Sequence, residues 1–114
     1  MKASDYNDQI GSLPQSGKVL FYELFAHRLT IITRGFWDDP DTDDSLKIEQ
    51  MKWVNEILHR VTSKIRVERL QLHDWPESEF ISMITRYVKE CPTIAGDVAW
   101  CIKTSYEKVA EKYC

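Results

Sequence analysis

The stretch from residue 48 to residue 65 constrains the fold most. Met51, Val54, Leu58, Val61 and Ile65 recur at alternating steps of three and four, the spacing that lines side chains along one side of an α-helix. Ile48 and Ile57 widen that stripe beyond a narrow two-stranded seam, so a globular bundle is expected rather than a long coiled coil. An apolar face of this kind has to be buried against other elements.

The rest of the chain supplies partners of the same type. Before the seam, Phe21, Leu24, Phe25, Leu29 and Ile32 form a helical stripe, and Gly35 sits where a left-handed C-cap would end it. After the seam, "HDWPESEF" reads as a helix start: Asp74 as cap, Pro76 in the first turn, Glu77 completing a capping box. Phe80, Met83, Ile84, Tyr87, Val88 and Cys91 continue that helix until Pro92 interrupts it. The last helix carries Ile94, Val98, Cys101, Ile102, Val109 and Tyr113, with Ala95, Gly96 and Ala99 small enough to admit a neighbouring backbone. "KIRVERLQLH" alternates briefly, a weak strand signal that fits a fraying helix end and linker equally well. Residues 1–17 are polar, contain Gly11, Pro14 and Gly17, and show no sustained period. The expected organisation is an all-α, antiparallel four-helix bundle-like domain over residues 18–114, preceded by a flexible polar N-terminal arm over 1–17.

Size suits that architecture, because 114 residues can bury a core without staples. No apolar run approaches the roughly 18 residues of a membrane span, and "MKASDYNDQIGSLPQSGK" has no apolar signal core. A cytoplasmic protein is expected. Cys91, Cys101 and Cys114 agree with that compartment, since they form no CxxC and their odd number closes no disulfide framework within one chain. A disulfide through Cys114 is one route to a homodimer.

The net charge of −3 argues against nonspecific attraction to nucleic acid or an anionic membrane. The charge is unevenly placed, however. Asp38, Asp39, Asp41, Asp43, Asp44, Glu49 and Glu56 outweigh Lys47 and Lys52, whereas Arg60, Lys64, Arg66 and Arg69 outweigh Glu68. The seam helix thus runs from an acidic start to a basic end, which also complements its macrodipole.

The acidic turn "DPDTDDSLKIEQ" resembles a calcium loop at first sight, with Asp39, Asp41 and Asp43 at positions one, three and five. Three positions fail. Asp44 stands where the turn needs glycine, Lys47 puts a cation beside the ion, and Gln50 replaces the bidentate carboxylate. A solvated turn whose acids cap the seam helix explains the pattern more simply.

Glu56 and His59 have the Glu-x-x-His spacing of carboxylate-bridged metal bundles, and Glu23 and His27 lie four apart on the preceding helix. Were the two helices in register, these four would form a mononuclear metal site, and a metal-binding carboxylate/histidine bundle with scope for catalysis is the runner-up reading. A second Glu-x-x-His is missing, so the plainer reading is a pair of surface groups. No Gly-x-Ser-x-Gly elbow and no phosphate-binding glycine loop is present, so an enzyme is not favoured and no cofactor is implied. Arg60, Lys64, Arg66 and Arg69 form a short basic patch that admits a local nucleic-acid contact as a third reading, against the acidic total.

Trp37, Trp53, Trp75 and Trp100 are many tryptophans for a small domain. They suit lids on the ends and flanks of a short bundle, and equally anchors of a protein interface, where tryptophan is enriched. The sequence therefore favours a small acidic helical protein that acts by binding another protein, as a neutraliser or adaptor of a basic partner. Trp37 and Trp53 are its expected anchors, and Asp38, Asp41, Asp43 and Asp44 its expected charged rim.

Overall fold

The computed structural model describes residues 6–67 and 77–113. Among these the secondary structure is helical throughout: α1 (Asn7–Gly11), α2 (Gln15–Asp38), α3 (Asp44–Val67), α4 (Glu77–Glu90) and α5 (Ala95–Tyr113), with a 3-10 turn at Pro92–Ile94 between the last two. The four long helices are the expected bundle. Helix α2 packs against α3 and α5, α3 against α4, and α1 against α4.

The core centres on four aromatic rings. Phe80 of α4 meets Phe21, Tyr22 and Phe25 of α2 edge-on, at centroid distances of 5.9, 5.1 and 5.2 Å. Such edge-to-face pairs place positive ring edges on negative ring faces. On α3 the fully buried positions are Val54, Ile57 and Val61, while Met51, Leu58 and Ile65 are half-buried. The buried stripe is rotated slightly from the seam read in the sequence. The reason is that α3 is covered by α2 on one side and α4 on the other, which turns Ile57 inward.

Three local expectations are corrected. The helix before the acidic turn does not stop at Gly35: α2 continues to Asp38, and no described glycine has positive φ. Continuing costs little, about 1 kcal/mol for a glycine in a helix, and it lets Phe36 pack against the core. The stop comes at Asp39, extended at φ −73°, ψ 112°, as expected of a residue before proline. Gly96 admits no close backbone either, since nothing stands within 4 Å of where its Cβ would be. Asp74, Trp75, Pro76 and most of the expected linker lie outside the described residues.

The third correction concerns the arm. Residues 6–17 fold onto the body, because Tyr6, Ile10 and Leu13 are spaced to face one way and all three are buried in the core. The Tyr6 ring lies 6.0 Å from that of Tyr106 on α5. Gly17 lets the start of α2 close on this segment, with Pro14 Cδ only 3.3 Å from the position a Cβ would take. Ile10→Ala is therefore expected to destabilise the fold, toward the lower end of the roughly 2–5 kcal/mol typical of such truncations, since a chain-end helix can relax. Urea denaturation checks this; an unchanged midpoint would restore the arm.

Candidate functional site

Helices α2 and α3 are the longest, and at 1.5 Å per residue each spans about 36 Å, most of the molecule's 41 Å long axis. Their partners are shorter. The Arg28 guanidinium lies 5.8 Å from the Trp100 ring, which sets the first turns of α5 beside the middle of α2. The Trp53 and Tyr87 rings, 5.7 Å apart, set the last turn of α4 beside the third turn of α3. The end of α2 and the beginning of α3 thus run on past α4 and α5 as a two-helix tip.

The turn at the tip is built by its own side chains. Asp39 accepts the backbone N–H of Asp41 at 3.0 Å and the hydroxyl of Thr42. The Thr42 hydroxyl most of all, and then the Asp41 N–H, hold the Asp39 carboxyl below its ordinary range. Its contribution to stability is present above the ordinary aspartate value of 3.8 and is lost as pH falls through the lower folded value. Both carboxylate oxygens thus brace the turn. Lys47 Nζ donates to the Trp37 carbonyl at 3.3 Å, closing α3 onto the end of α2.

Around this turn the large apolar side chains are poorly covered. Trp37 is 63% exposed and Ile48 is 64% exposed. Beside them lies an open hollow of about 480 Å³, lined by Thr33, Arg34, Trp37 and Asp38 of α2 and by Met51 of α3. Ile48 precedes Met51 by three residues and so flanks the hollow on the same side of α3. Asp38 is exposed in the wall of the hollow, and Asp41, Asp43, Asp44 and Glu49 are exposed in the turn and at the start of α3. Ile31 on α2 and Trp100 on α5 are the other exposed large apolar side chains among the described residues, at 48% and 46%.

The sequence-expected residues divide accordingly. Trp37, Asp38, Asp41, Asp43 and Asp44 gather at the tip. Trp53 does not join them: it is half-buried, its ring against Tyr87 and under Lys52 Nζ at 5.1 Å. Ile48, expected to face the core, is at the surface because no described helix covers the tip there. That outcome is invisible to a periodicity argument.

The four-residue metal site is not assembled. Glu56 and His59 are exposed on α3 and line a groove toward α4, whereas Glu23 and His27 lie on α2, which contacts α3 and α5. Among the described residues no three His, Cys, Asp or Glu side chains converge as a metal would require. The physical reason is the rotation of α3: Ile57 takes its buried face, which leaves Glu56 and His59 together on the exposed side.

The same α3–α4 groove, about 540 Å³, also holds Arg60 and Lys64, but with Glu56 and Glu79 among them. Its charge is mixed, and the Arg60 guanidinium sits 6.0 Å from the Tyr87 ring. A mixed-sign groove is a poor electrostatic match to a phosphate backbone. Arg69 lies outside the described residues, as does the side chain of Arg66.

Cys91 and Cys101 are free thiols buried in the core. Burial, reinforced by the Asp97 carboxylate, pushes the Cys101 thiol up to about 12. A thiol so protonated is a weak nucleophile at neutral pH. Burial likewise raises the Asp97 carboxyl above its ordinary value.

Comparison with protein-family models, curated proteins and solved structures returns no match for this chain.

Proposed function

We propose that this protein acts by binding a basic protein partner through the α2–α3 tip, as a neutraliser or adaptor. The observation that carries this reading is the coincidence at one projecting turn of two large, poorly covered apolar side chains, Trp37 and Ile48, with Asp38, Asp41, Asp43 and Asp44. Covering an exposed indole removes apolar surface from water, and tryptophan is among the commonest interface anchors. The carboxylates add long-range attraction that speeds encounter with a cationic surface and opposes acidic ones. A cytoplasmic setting is part of the proposal, supported by the free thiols of Cys91 and Cys101; no described helix is long and apolar enough to cross a membrane.

Reversing the tip charges tests the reading. With Asp41, Asp43 and Asp44 changed together to Lys, a companion that co-purifies with the wild-type chain and is identified by mass should be lost. Association with the wild type should weaken as salt rises, and this dependence should vanish in the variant while its circular dichroism stays unchanged. Retention of the companion by the folded variant would count against the tip.

A further inference from the structure

We infer that the segment seated at the tip is a basic amphipathic helix, its apolar side chains filling the hollow between Trp37 and Met51 and its lysines or arginines reaching the surrounding carboxylates. This rests on the reading of the tip as a protein-docking surface and names the partner's form.

Backbone hydrogen bonding comes first. The secondary structure of the described residues is all helical, so the tip offers no strand edge to an extended segment. A segment docking here must satisfy its own N–H and C=O groups as it leaves water, and a helix does so internally. Shape points the same way. The hollow is bounded by two antiparallel helices, with Thr33 and Trp37 one turn apart on α2 and Met51 opposite on α3. A groove between two helices receives a third by ridge-into-groove packing, with anchors at three- and four-residue spacing.

Charge decides between a foreign helix and a second copy of this chain. Among the described residues Arg34 is the one cation lining the hollow and Lys47 stands at the turn on the Trp37 carbonyl, against Asp38 in the wall and Asp41, Asp43 and Asp44 exposed in and beside the turn. Two copies meeting tip to tip would bring these carboxylates together. A cationic helix is attracted by the same groups.

The test uses the full chain and two synthetic peptides of identical leucine, lysine, alanine and glutamine composition. One places its leucines along a single helical face; the other distributes them around the helix. Titration by calorimetry and by amide chemical-shift changes is expected to show the one-faced peptide binding at least ten-fold tighter. Its shifts should centre on Trp37, Ile48 and Met51, and its binding should weaken at least ten-fold in Trp37→Ala. Equal affinity of the two peptides would overturn the helix while leaving an acidic docking surface in place. Binding undiminished in Trp37→Ala, or binding of neither peptide, would overturn it too. The tip as a docking surface is judged separately, by the charge-reversal experiment with the natural companion.

Discussion

Phe80→Ala is expected to lower the free energy of unfolding by about 3–5 kcal/mol. Phe80 is fully buried, and its ring is the only α4 group in edge-on contact with Phe21, Tyr22 and Phe25 among the described ring pairs. Removing it leaves a cavity among three large side chains that belong to one long helix and cannot all move in to fill it. It also removes three aromatic contacts, each worth roughly 0.5–1.5 kcal/mol beyond buried area. Domains of this size are stable by about 5–15 kcal/mol, so the loss is a large share of the total. At about 4–8 °C per kcal/mol for a domain near this size, the melting temperature should fall by at least ~12 °C. Urea unfolding should show a lower midpoint with an unchanged slope. A shift under about 1 kcal/mol would mean that α4 is not held by this cluster.

Trp37→Ala is expected to do the opposite: leave stability nearly intact and remove binding. A side chain 63% exposed at the end of a helix contributes little to the core, and surface changes of this kind fall within roughly 0.5 kcal/mol. Its loss from a partner interface should cost about 2 kcal/mol or more, as for other tryptophan anchors, which is roughly thirty-fold in affinity. Trp53→Ala makes the contrast. Trp53 packs on Tyr87 and the core, so this change should lower stability and affect binding only through folding. Isothermal titration with the companion, paired with thermal melts of both variants, separates the two. Equal binding by Trp37→Ala and wild type would remove the anchor from the tip.

The helices were legible because α2, α3, α4 and α5 each repeat apolar residues long enough to establish a period. Helix α1, only Asn7–Gly11, falls below that length, although the spacing of Tyr6, Ile10 and Leu13 was there to be read. Gly35 misled because glycine marks a stop only when nothing beyond it needs the helix, and Phe36 does. At the site, the acidic turn and Trp37 were visible as residue types. Which tryptophan would be free was not: that depends on where α4 and α5 end alongside α2 and α3, a tertiary fact without a local signature. The failure of Glu23, His27, Glu56 and His59 to meet has the same origin, since the rotation of α3 is set by packing around Ile57 rather than by the spacing within each pair.

Native mass spectrometry of the untagged chain, purified gently from its own host without chelator, tests the central claim most directly. The expected spectrum contains the chain with one protein companion in fixed stoichiometry. That companion should be basic, and the complex should dissociate at raised ionic strength and be absent when Asp41, Asp43 and Asp44 are all Lys. A chain carrying a stoichiometric metal, or one found only free under every gentle condition, would contradict the proposal that the α2–α3 tip exists to hold a protein.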